Sequence, residues 1–291
     1  MKKIQILPAT SILKLENYSF KREDQNPSGS VKDRAVIRQL ENARRLGHKE
    51  VAISSSGNAA ISLAYWTQNT NMTANIFISP KINKGKLQKL EKLNCRLVVS
   101  LKPIRDCFRF CKQNNAYNMR QSLDPWAVKG FADLGKEIKK QLEELKLKKL
   151  KAIFLPVSSG TTLLGISREI EGLGIASFAI QPANHCPLSS FFDKDYRPEK
   201  KTIADALVAK IIPKKEEIIK QIKKSRGTGL VIQNNKIIEA QAYLKKNGIE
   251  TSNEGALALA GAWKATKKGL ISSSDQKLIL LTGRWYQNGN Q

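Results

Sequence analysis

The residue in this chain best suited to covalent chemistry is Lys32, which follows a turn at the start of a predicted helix. Pro27 and Gly29 favour a turn, Ser30 is the predicted N-cap, and apolar residues then recur at helical spacing until Gly47. A lysine in this position can face a cavity, where a desolvated ε-amine loses its proton and attacks a carbonyl to form a Schiff base. The pattern alone is equally consistent with a solvated lysine on the first turn.

Two further turns join a short apolar strand to a helix and carry small polar residues. The first, over residues 54–60, reads Ser-Ser-Ser-Gly-Asn-Ala-Ala, and the second, over residues 158–162, reads Ser-Ser-Gly-Thr-Thr. Backbone N–H groups at a helix N-terminus bind anions such as carboxylate and phosphate. Both turns are therefore candidate anion sites, although an ordinary strand-to-helix connection has the same composition. A third polar turn, at residues 282–283, ends the last predicted strand.

The segments that position these turns alternate between strand and helix. Short strands are predicted at residues 51–53, 76–78, 96–100, 152–157, 177–181, 230–232 and 277–282, with helices between most of them. Strands that alternate with helices predict βαβ units and a parallel sheet, hence an α/β fold. Residues 13–20 are predicted to be a strand or extended chain, and two helices, over 236–246 and 254–267, precede the last strand.

The formal net charge of +25 is the unusual feature of this 291-residue composition. Such a charge suits a polyanionic partner. However, the excess is mainly lysine, is spread over the whole chain and lies beside glutamates on predicted helix faces, as solvated lysines do. The sequence contains no zinc-finger spacing, recognition-helix motif or RNA-binding aromatic signature, so it predicts no nucleic-acid partner.

The composition also indicates the cellular compartment. No apolar stretch is long enough to cross a membrane, and the apolar part of residues 1–8 is too short for a signal peptide. We therefore expect a cytoplasmic protein without a membrane partner. The four cysteines form no CxxC pair and are expected to be reduced. Cys107 and Cys111 are predicted to share a helix face, and no metal site is expected from two histidines and no four-ligand cluster.

The segment 26–34, Asn-Pro-Ser-Gly-Ser-Val-Lys-Asp-Arg, resembles the signature of the tryptophan-synthase-β-like family of fold-type II enzymes, which depend on pyridoxal 5′-phosphate (PLP). The three other turns follow it in the order that this family shows. The resemblance implies that Lys32 is the catalytic residue, that Asn58 contacts the 3′-oxygen of PLP and that Thr282 lies at the pyridine nitrogen. The implied cofactor-binding residues are Lys32, Asn58, Ser158, Ser159, Gly160, Thr161, Thr162 and Thr282.

The resemblance also implies how the two loops divide their work. The loop after residue 54 takes the substrate α-carboxylate, and the loop 158–162 takes the cofactor phosphate. The implied substrate-binding residues are Ser55, Ser56, Gly57, Ala59 and, further along the chain, Ser122. The phosphate loop has Ser158 and Thr161 where the family usually has glycines, which keeps the amides but restricts φ.

The fold implied by the resemblance has two domains with the cofactor in the cleft between them. Residues 1–34 and 129–291 are predicted to form the large PLP-binding domain, and residues 35–128 a smaller inserted α/β domain. Each domain is expected to be a mostly parallel sheet flanked by helices. The family pattern further implies a homodimer.

Within the family, four short segments are similar to threonine synthases. They are Ser-Gly-Asn-Ala-Ala at 56–60, Ile-Ala-Asp-Ala at 203–206, Asn-Glu-Gly-Ala at 253–256 and Thr-Gly at 282–283. The implied activity is a carbon–oxygen lyase of amino-acid biosynthesis, which converts O-phosphohomoserine and water to threonine and phosphate. In this reading Lys32 shuttles protons at the small-molecule amino-acid substrate.

Two departures from the threonine synthase pattern keep other functions open. Ala127 stands where those enzymes usually carry an arginine that clamps the substrate phosphate, and Ser122 and Lys129 are only partial substitutes. The usual Gly-Leu-Lys-Asp after the final Thr-Gly is also replaced, at residues 284–287. One alternative is a threonine/serine dehydratase or another β-eliminating enzyme of the family. Another is a catalytically degenerate binding protein, because two loop glycines and the clamp arginine are absent.

Overall fold

Strands and helices alternate along most of the chain, as the sequence predicts. The computed structural model describes residues 7–147 and 149–286. The strands there are β1 Ile12–Leu15, β2 Tyr18–Arg22, β3 Glu50–Ser54, β4 Thr73–Ile78, β5 Arg96–Val99, β6 Tyr117–Asn118, β7 Leu150–Pro156, β8 Ala176–Pro182, β9 Gly229–Ile232 and β10 Gln276–Leu281. The α-helices are α1 Lys32–Arg45, α2 Asn58–Thr67, α3 Lys84–Glu91, α4 Pro103–Gln113, α5 Pro125–Glu144, α6 Thr161–Glu169, α7 Lys215–Lys224, α8 Asn234–Lys246 and α9 Asn253–Lys267.

The region predicted as one strand or extended chain over residues 13–20 is an antiparallel hairpin. Strands β1 and β2 pair with Leu15 opposite Tyr18. Glu16, in the connecting turn, has a φ of 52°, a left-handed conformation that is uncommon for a residue with a side chain. The sequence carries no glycine at this turn, so the reversal was not predicted.

The chain divides into two compact units. Of the described residues, 7–8, 26–130 and 286 form the first unit, and 9–25, 131–147 and 149–285 form the second. Lys32, the loop after β3 and Ser122 belong to the first unit, whereas the loop 158–162 and Thr282 belong to the second. The predicted division into a PLP-binding domain (1–34 and 129–291) and an inserted domain (35–128) stays a prediction.

The first unit is built on a parallel sheet of four strands in the order β5-β4-β3-β6. Helices α1 and α2 contribute to a core that includes Val36, Leu63 and Ile76, all fully buried. A separate cluster contains Cys107 and Cys111 of α4, which pack with Ala52, Phe77 and Ala116. The prediction that these two cysteines share a helix face is thus confirmed.

The second unit contains a sheet of six strands in the order β1-β2-β10-β7-β8-β9. All neighbours are parallel except β1 and β2. Central strands of a parallel sheet are covered on both faces, which is why β7 and β10 are nearly continuous apolar runs. Phe154 and Phe178 stack in the core at 4.6 Å between ring centroids. The prediction of an α/β fold with mostly parallel sheets is confirmed.

No helix in the described part of the chain is both long and apolar enough to cross a membrane. Of residues 1–8, on which the expectation of no signal peptide depends, residues 1–6 lie outside the described range.

Candidate active site

Lys32 is the first residue of helix α1, as the sequence predicts, and its side chain is half-buried. Gly29 in the preceding turn has a φ of 95° and donates its N–H to the Asn26 carbonyl at 2.7 Å. Glycine suits this turn because other residues rarely adopt such a φ. The predicted N-cap is wrong by one residue: Val31, already in helical conformation, holds that position. Ser30 Oγ nevertheless accepts a hydrogen bond from Lys32 N at 3.3 Å.

Asp33, the neighbour of Lys32, fixes the start of helix α1. Its carboxylate is fully buried and accepts hydrogen bonds from Ser28 N at 2.9 Å, from Ser28 Oγ and from Ser62 Oγ at 2.6 Å. Burial raises the pKa of Asp33, against the serine donors, which lower it. Ser62 lies one turn after Asn58 on helix α2. Asp33 therefore ties the lysine turn to the helix that follows the predicted carboxylate loop.

Helix α5 lies against the same first turn. A Cβ atom at Gly130 would lie 2.1 Å from the Arg34 carbonyl oxygen, a distance that real contacts do not reach. A glycine at position 130 is thus required for the close approach of α5 to α1. Nothing in the sequence indicates this role.

The loop after β3 has the architecture of an anion site. Ser55 N donates to the Phe77 carbonyl at 3.2 Å, and Ser56 Oγ accepts from Ser79 N at 2.9 Å, so neighbouring strands hold the loop. Among the described residues, no acceptor is bonded to the N–H groups of Ser56, Asn58 and Ala59. Helix α2 begins at Asn58, so its positive end reinforces these amides.

Gly57 and Asn58 leave room and capacity for a ligand at this loop. A Cβ atom at Gly57 would meet nothing within 4 Å, so the backbone there borders open space. The Asn58 side-chain oxygen Oδ1 is buried and has no hydrogen-bond partner in the described part of the chain. A buried amide oxygen without a partner is costly unless a ligand or water completes it.

Ser122 lies in the loop that follows β6, next to the carboxylate loop. Strands β3 and β6 are parallel neighbours with Ala52 opposite Asn118, so their carboxyl ends meet at one edge of the sheet. Ser122 Oγ accepts a hydrogen bond from Arg120 Nε at 3.3 Å. Arg120 is exposed, and no carboxylate among the described residues pairs with it. Sequence reasoning missed this arginine because it lies seven residues before the position where one was sought.

The position of the missing clamp arginine is closed to a long side chain. Ala127 is fully buried in helix α5. Lys129, one of the two proposed substitutes, is exposed and lies 3.8 Å from the centroid of the Trp126 ring, in a cation–π contact. A cation held on an indole face is less available to a substrate than one without a partner.

The loop 158–162 in the second unit is a second candidate anion site, at the N-terminus of helix α6. Gly160 is the N-cap with a φ of 81°, and a Cβ there would lie 2.2 Å from Ile218 Cδ1. Ser158 and Thr161, which replace the usual glycines, both have negative φ values, so neither substitution strains the backbone. Ser159 Oγ and Thr161 Oγ1 share a hydrogen bond at 3.0 Å. Within the described residues, the N–H groups of 158–162 donate to no acceptor.

Thr282 follows the last residue of β10, which is the parallel neighbour of β7. With Ile279 opposite Phe154, Thr282 lies at the same sheet edge as the start of the loop 158–162. The Thr282 side chain is half-buried, and no described residue hydrogen-bonds to its hydroxyl. The next carbonyl, that of Gly283, accepts Ser252 N at 2.8 Å and Thr251 Oγ1 at 3.0 Å.

Residues 4–283 match the family described as "Pyridoxal-phosphate dependent enzyme". The chain belongs to this family. The resemblance inferred from its motifs is therefore confirmed, and PLP is its cofactor. The assignment of individual residues to PLP and substrate remains a prediction.

Two relatives of known function are a threonine synthase and a threonine dehydratase. The chain is 26% identical to the threonine synthase of Methanosarcina acetivorans, in a match that covers 90% of this chain and 69% of that protein. It is 22% identical to the mitochondrial threonine dehydratase of Schizosaccharomyces pombe, covering 83% of this chain but 41% of the dehydratase.

Solved structures agree on the fold. Threonine deaminase isoform 2 from Solanum lycopersicum superposes with a TM-score of 0.83 at 19% sequence identity, covering 97% of this chain and 81% of that one. At such low identity the likeness establishes the fold and not the reaction.

The residues in each unit fit the parts of PLP. In the first unit, the buried Asn58 Oδ1 has no hydrogen-bond partner among the described residues, so this side chain can bind a ligand. In the second unit, the loop 158–162 offers amides without acceptors at the start of a helix, which suits a phosphate. The Thr282 hydroxyl suits a ring nitrogen, since a hydroxyl donates to an unprotonated pyridine.

Proposed function

We propose that this protein is a PLP-dependent carbon–oxygen lyase of the threonine synthase type, which converts O-phosphohomoserine and water to threonine and phosphate. The observation that carries the proposal is the placement of Lys32 at the start of α1, tied through Asp33 and Ser62 to the helix behind the carboxylate loop. The similarity to the threonine synthase of Methanosarcina acetivorans supports the choice of reaction.

Each candidate residue has a distinct task in the proposal. The Lys32 amine binds the cofactor carbonyl and then carries protons at Cα and Cβ of the substrate. The free amides of Ser56, Asn58 and Ala59 hold the substrate α-carboxylate, and the Asn58 side chain contacts the cofactor 3′-oxygen. Bound PLP draws electrons from the bonds at Cα, which is the chemistry that the protein alone lacks.

In the second unit, the loop 158–162 holds the cofactor phosphate and Thr282 faces the ring nitrogen. A threonine there is a neutral partner, so the ring nitrogen has no carboxylate to favour its protonation. A less electron-withdrawing ring suits elimination and replacement at Cβ or Cγ.

Arg120 with Ser122 is our candidate for the group that binds the substrate phosphate. The guanidinium offers several N–H donors in a fixed plane, which match phosphate oxygens better than a lysine does. In this assignment Arg120 takes the role of the clamp arginine, whose usual position is occupied by Ala127.

A second candidate function is threonine/serine dehydratase activity. The buried Ala127 and the similarity to the dehydratase of Schizosaccharomyces pombe favour it. Its substrate carries a hydroxyl in place of the phosphate ester and makes no demand for a phosphate clamp.

The test begins with visible absorption of the purified protein with PLP. We expect a yellow band in the wild type that is lost in Lys32→Ala. Lys84→Ala is the matched control, since Lys84 is likewise the first residue of a helix in the first unit but is exposed. A band that survives in Lys32→Ala would contradict the role of Lys32.

O-phosphohomoserine, threonine and serine are then added in turn, with assays for phosphate, threonine and 2-oxo acid. Phosphate and threonine in equal amounts support the synthase, whereas a 2-oxo acid from threonine or serine supports the dehydratase. Turnover of any of them contradicts the binding-protein alternative.

The proposal includes a homodimer that acts in cytoplasmic amino-acid biosynthesis without a nucleic-acid partner. The family pattern supports the dimer, and the spread of lysines along the chain argues against a nucleic-acid surface. A monomer in sedimentation at micromolar concentration would contradict the homodimer. A shift of nucleic acid in a retardation assay at physiological salt would contradict the absence of a nucleic-acid partner.

A further inference from the structure

Ser252 stands at the N-cap of helix α9 but does not cap it. Its φ of −65° and ψ of 163° are those of a normal N-cap residue, yet its side chain makes no capping hydrogen bond. A serine at this position ordinarily accepts a hydrogen bond from an N–H group of the first turn. The hydroxyl of Ser252 is therefore not used for the purpose that its position suggests.

The same hydroxyl is buried and unsatisfied. Ser252 is 8% exposed, and its Oγ has no hydrogen-bond partner among the described residues. A buried hydroxyl without a partner lowers stability, so a native structure that retains one calls for an explanation such as a missing ligand.

The position of Ser252 relates it directly to the candidate cofactor residues of the second unit. Its backbone N–H donates to the Gly283 carbonyl at 2.8 Å, immediately after Thr282. The first turn of α9 also lies against the end of β10, since a Cβ at Gly255 would lie 3.2 Å from Leu281 Cδ2. The N-terminus of a 15-residue helix, with the buried Ser252 at its cap, thus lies at the sheet edge that also carries Thr282.

The nearby carboxylate is otherwise engaged. Glu254, in the first turn of α9, is buried and accepts the N–H of Ala206 at 3.0 Å through Oε1. Its bond to Ala206 holds the carboxylate toward that segment, whereas the hydroxyls of Ser252 and Thr282 have no partner among the described residues.

We propose that Ser252 is a second hydroxyl ligand of the PLP pyridine nitrogen, whose single lone pair would accept a bifurcated hydrogen bond from Ser252 Oγ–H and Thr282 Oγ1–H. The inference depends on the proposed assignment of Thr282 to the ring. Both hydroxyls are neutral donors, so both favour the unprotonated form of that nitrogen. Ser252 then contributes to cofactor affinity as well as to the electronic state of the ring.

The test compares Ser252→Ala, Ser252→Thr and Ser19→Ala by equilibrium dialysis of the holoenzyme against a series of PLP concentrations. Ser19 is the matched control, because its hydroxyl is also buried and unpartnered in the second unit but lies on β2, opposite Leu278. We expect Ser252→Ala to weaken PLP binding by roughly tenfold, the effect of one lost hydrogen bond. Ser252→Thr should keep most of the affinity, and Ser19→Ala all of it.

A second readout separates this role from a structural one. The pH titration of the visible band reports protonation of the bound cofactor, and we expect it to shift in Ser252→Ala but not in Ser19→Ala. Unchanged PLP affinity and an unchanged titration in Ser252→Ala would overturn the inference while leaving the proposed function intact. Loss of thermal stability with unchanged affinity would also overturn it, since that is the result for a capping serine. A wild type that retains no PLP would contradict both proposals.

Discussion

Replacement of Gly160 by alanine tests the phosphate loop in the second unit. Gly160 has a φ of 81°, and an added Cβ would lie 2.2 Å from Ile218 Cδ1. The substitution therefore carries two separate costs, one from the backbone and one from the contact. Ile218 is fully buried in helix α7, so it has limited freedom to move away.

The two costs have known sizes. A left-handed φ in a residue with a Cβ costs roughly 1–2 kcal/mol. Overpacking a buried site adds about 1–3 kcal/mol. We therefore expect Gly160→Ala to lower the free energy of unfolding by roughly 2–5 kcal/mol. Because the same shift displaces amides that are proposed to bind phosphate, PLP affinity should fall as well.

Two further variants separate the costs. Gly172 has a φ of 84° but nothing within 4 Å of an added Cβ, so Gly172→Ala should carry only the backbone cost. Ile218→Val removes Cδ1, so Gly160→Ala should be less destabilising in that background than in the wild type. Urea unfolding measures the free energies, and PLP dialysis measures the affinity. The reasoning is refuted if Gly160→Ala and Gly172→Ala are equally stable, or if Ile218→Val gives no relief.

Two more predictions concern the first unit. Burial raises the pKa of Asp33. At pH values just above the usual aspartate range, the folded state therefore binds a proton that the unfolded state has lost. The free energy of unfolding falls as the pH rises through that window. Asp33→Asn should remove this decline; parallel stability curves for the two proteins in urea unfolding from about pH 4 to 7 would contradict it. Arg120→Gln should raise KM for O-phosphohomoserine about tenfold without changing the PLP band, since one charge-assisted hydrogen bond is lost. Arg109→Gln, at an exposed arginine on α4, should leave KM unchanged, and equal effects of the two variants would count against Arg120.

Local sequence patterns predicted the elements well because the relevant physics is local. Apolar runs of strand length predicted β3, β4 and β7, and helical spacing predicted α2, α5 and α9. Turn chemistry placed Lys32 on the first turn of a helix, because Pro27 and Gly29 precede it. The fold class followed from the alternation of strands and helices.

Features that depend on residues distant in the chain were not predictable. The hydrogen bond from Ser62 to Asp33 joins positions 29 apart, and β2 pairs with β10 across more than 250 residues. The close approach of Gly130 to Arg34 is another case, since a glycine inside a helix gives no sign of what packs against it. Ser252 was missed for the opposite reason: in sequence it resembles an ordinary N-cap, and only its missing cap bond distinguishes it.

The degenerate-protein alternative depends on two absences, that of two loop glycines and that of the clamp arginine. The structure weakens the first argument and strengthens the second. In the loop 158–162 the one position with a left-handed φ is Gly160, and its glycine is retained. Serine and threonine at 158 and 161 are therefore compatible with phosphate binding, because amides and not glycines hold the anion. What remains is the clamp, where Ala127 is buried and our candidate is Arg120 beside Ser122. In our proposal this guanidinium preserves the charge of the clamp but comes from the loop after β6 instead of helix α5. The effect of Arg120→Gln on phosphorylated and unphosphorylated amino acids thus tests this replacement of the clamp: a loss confined to O-phosphohomoserine assigns the phosphate to Arg120, and an equal loss for threonine does not.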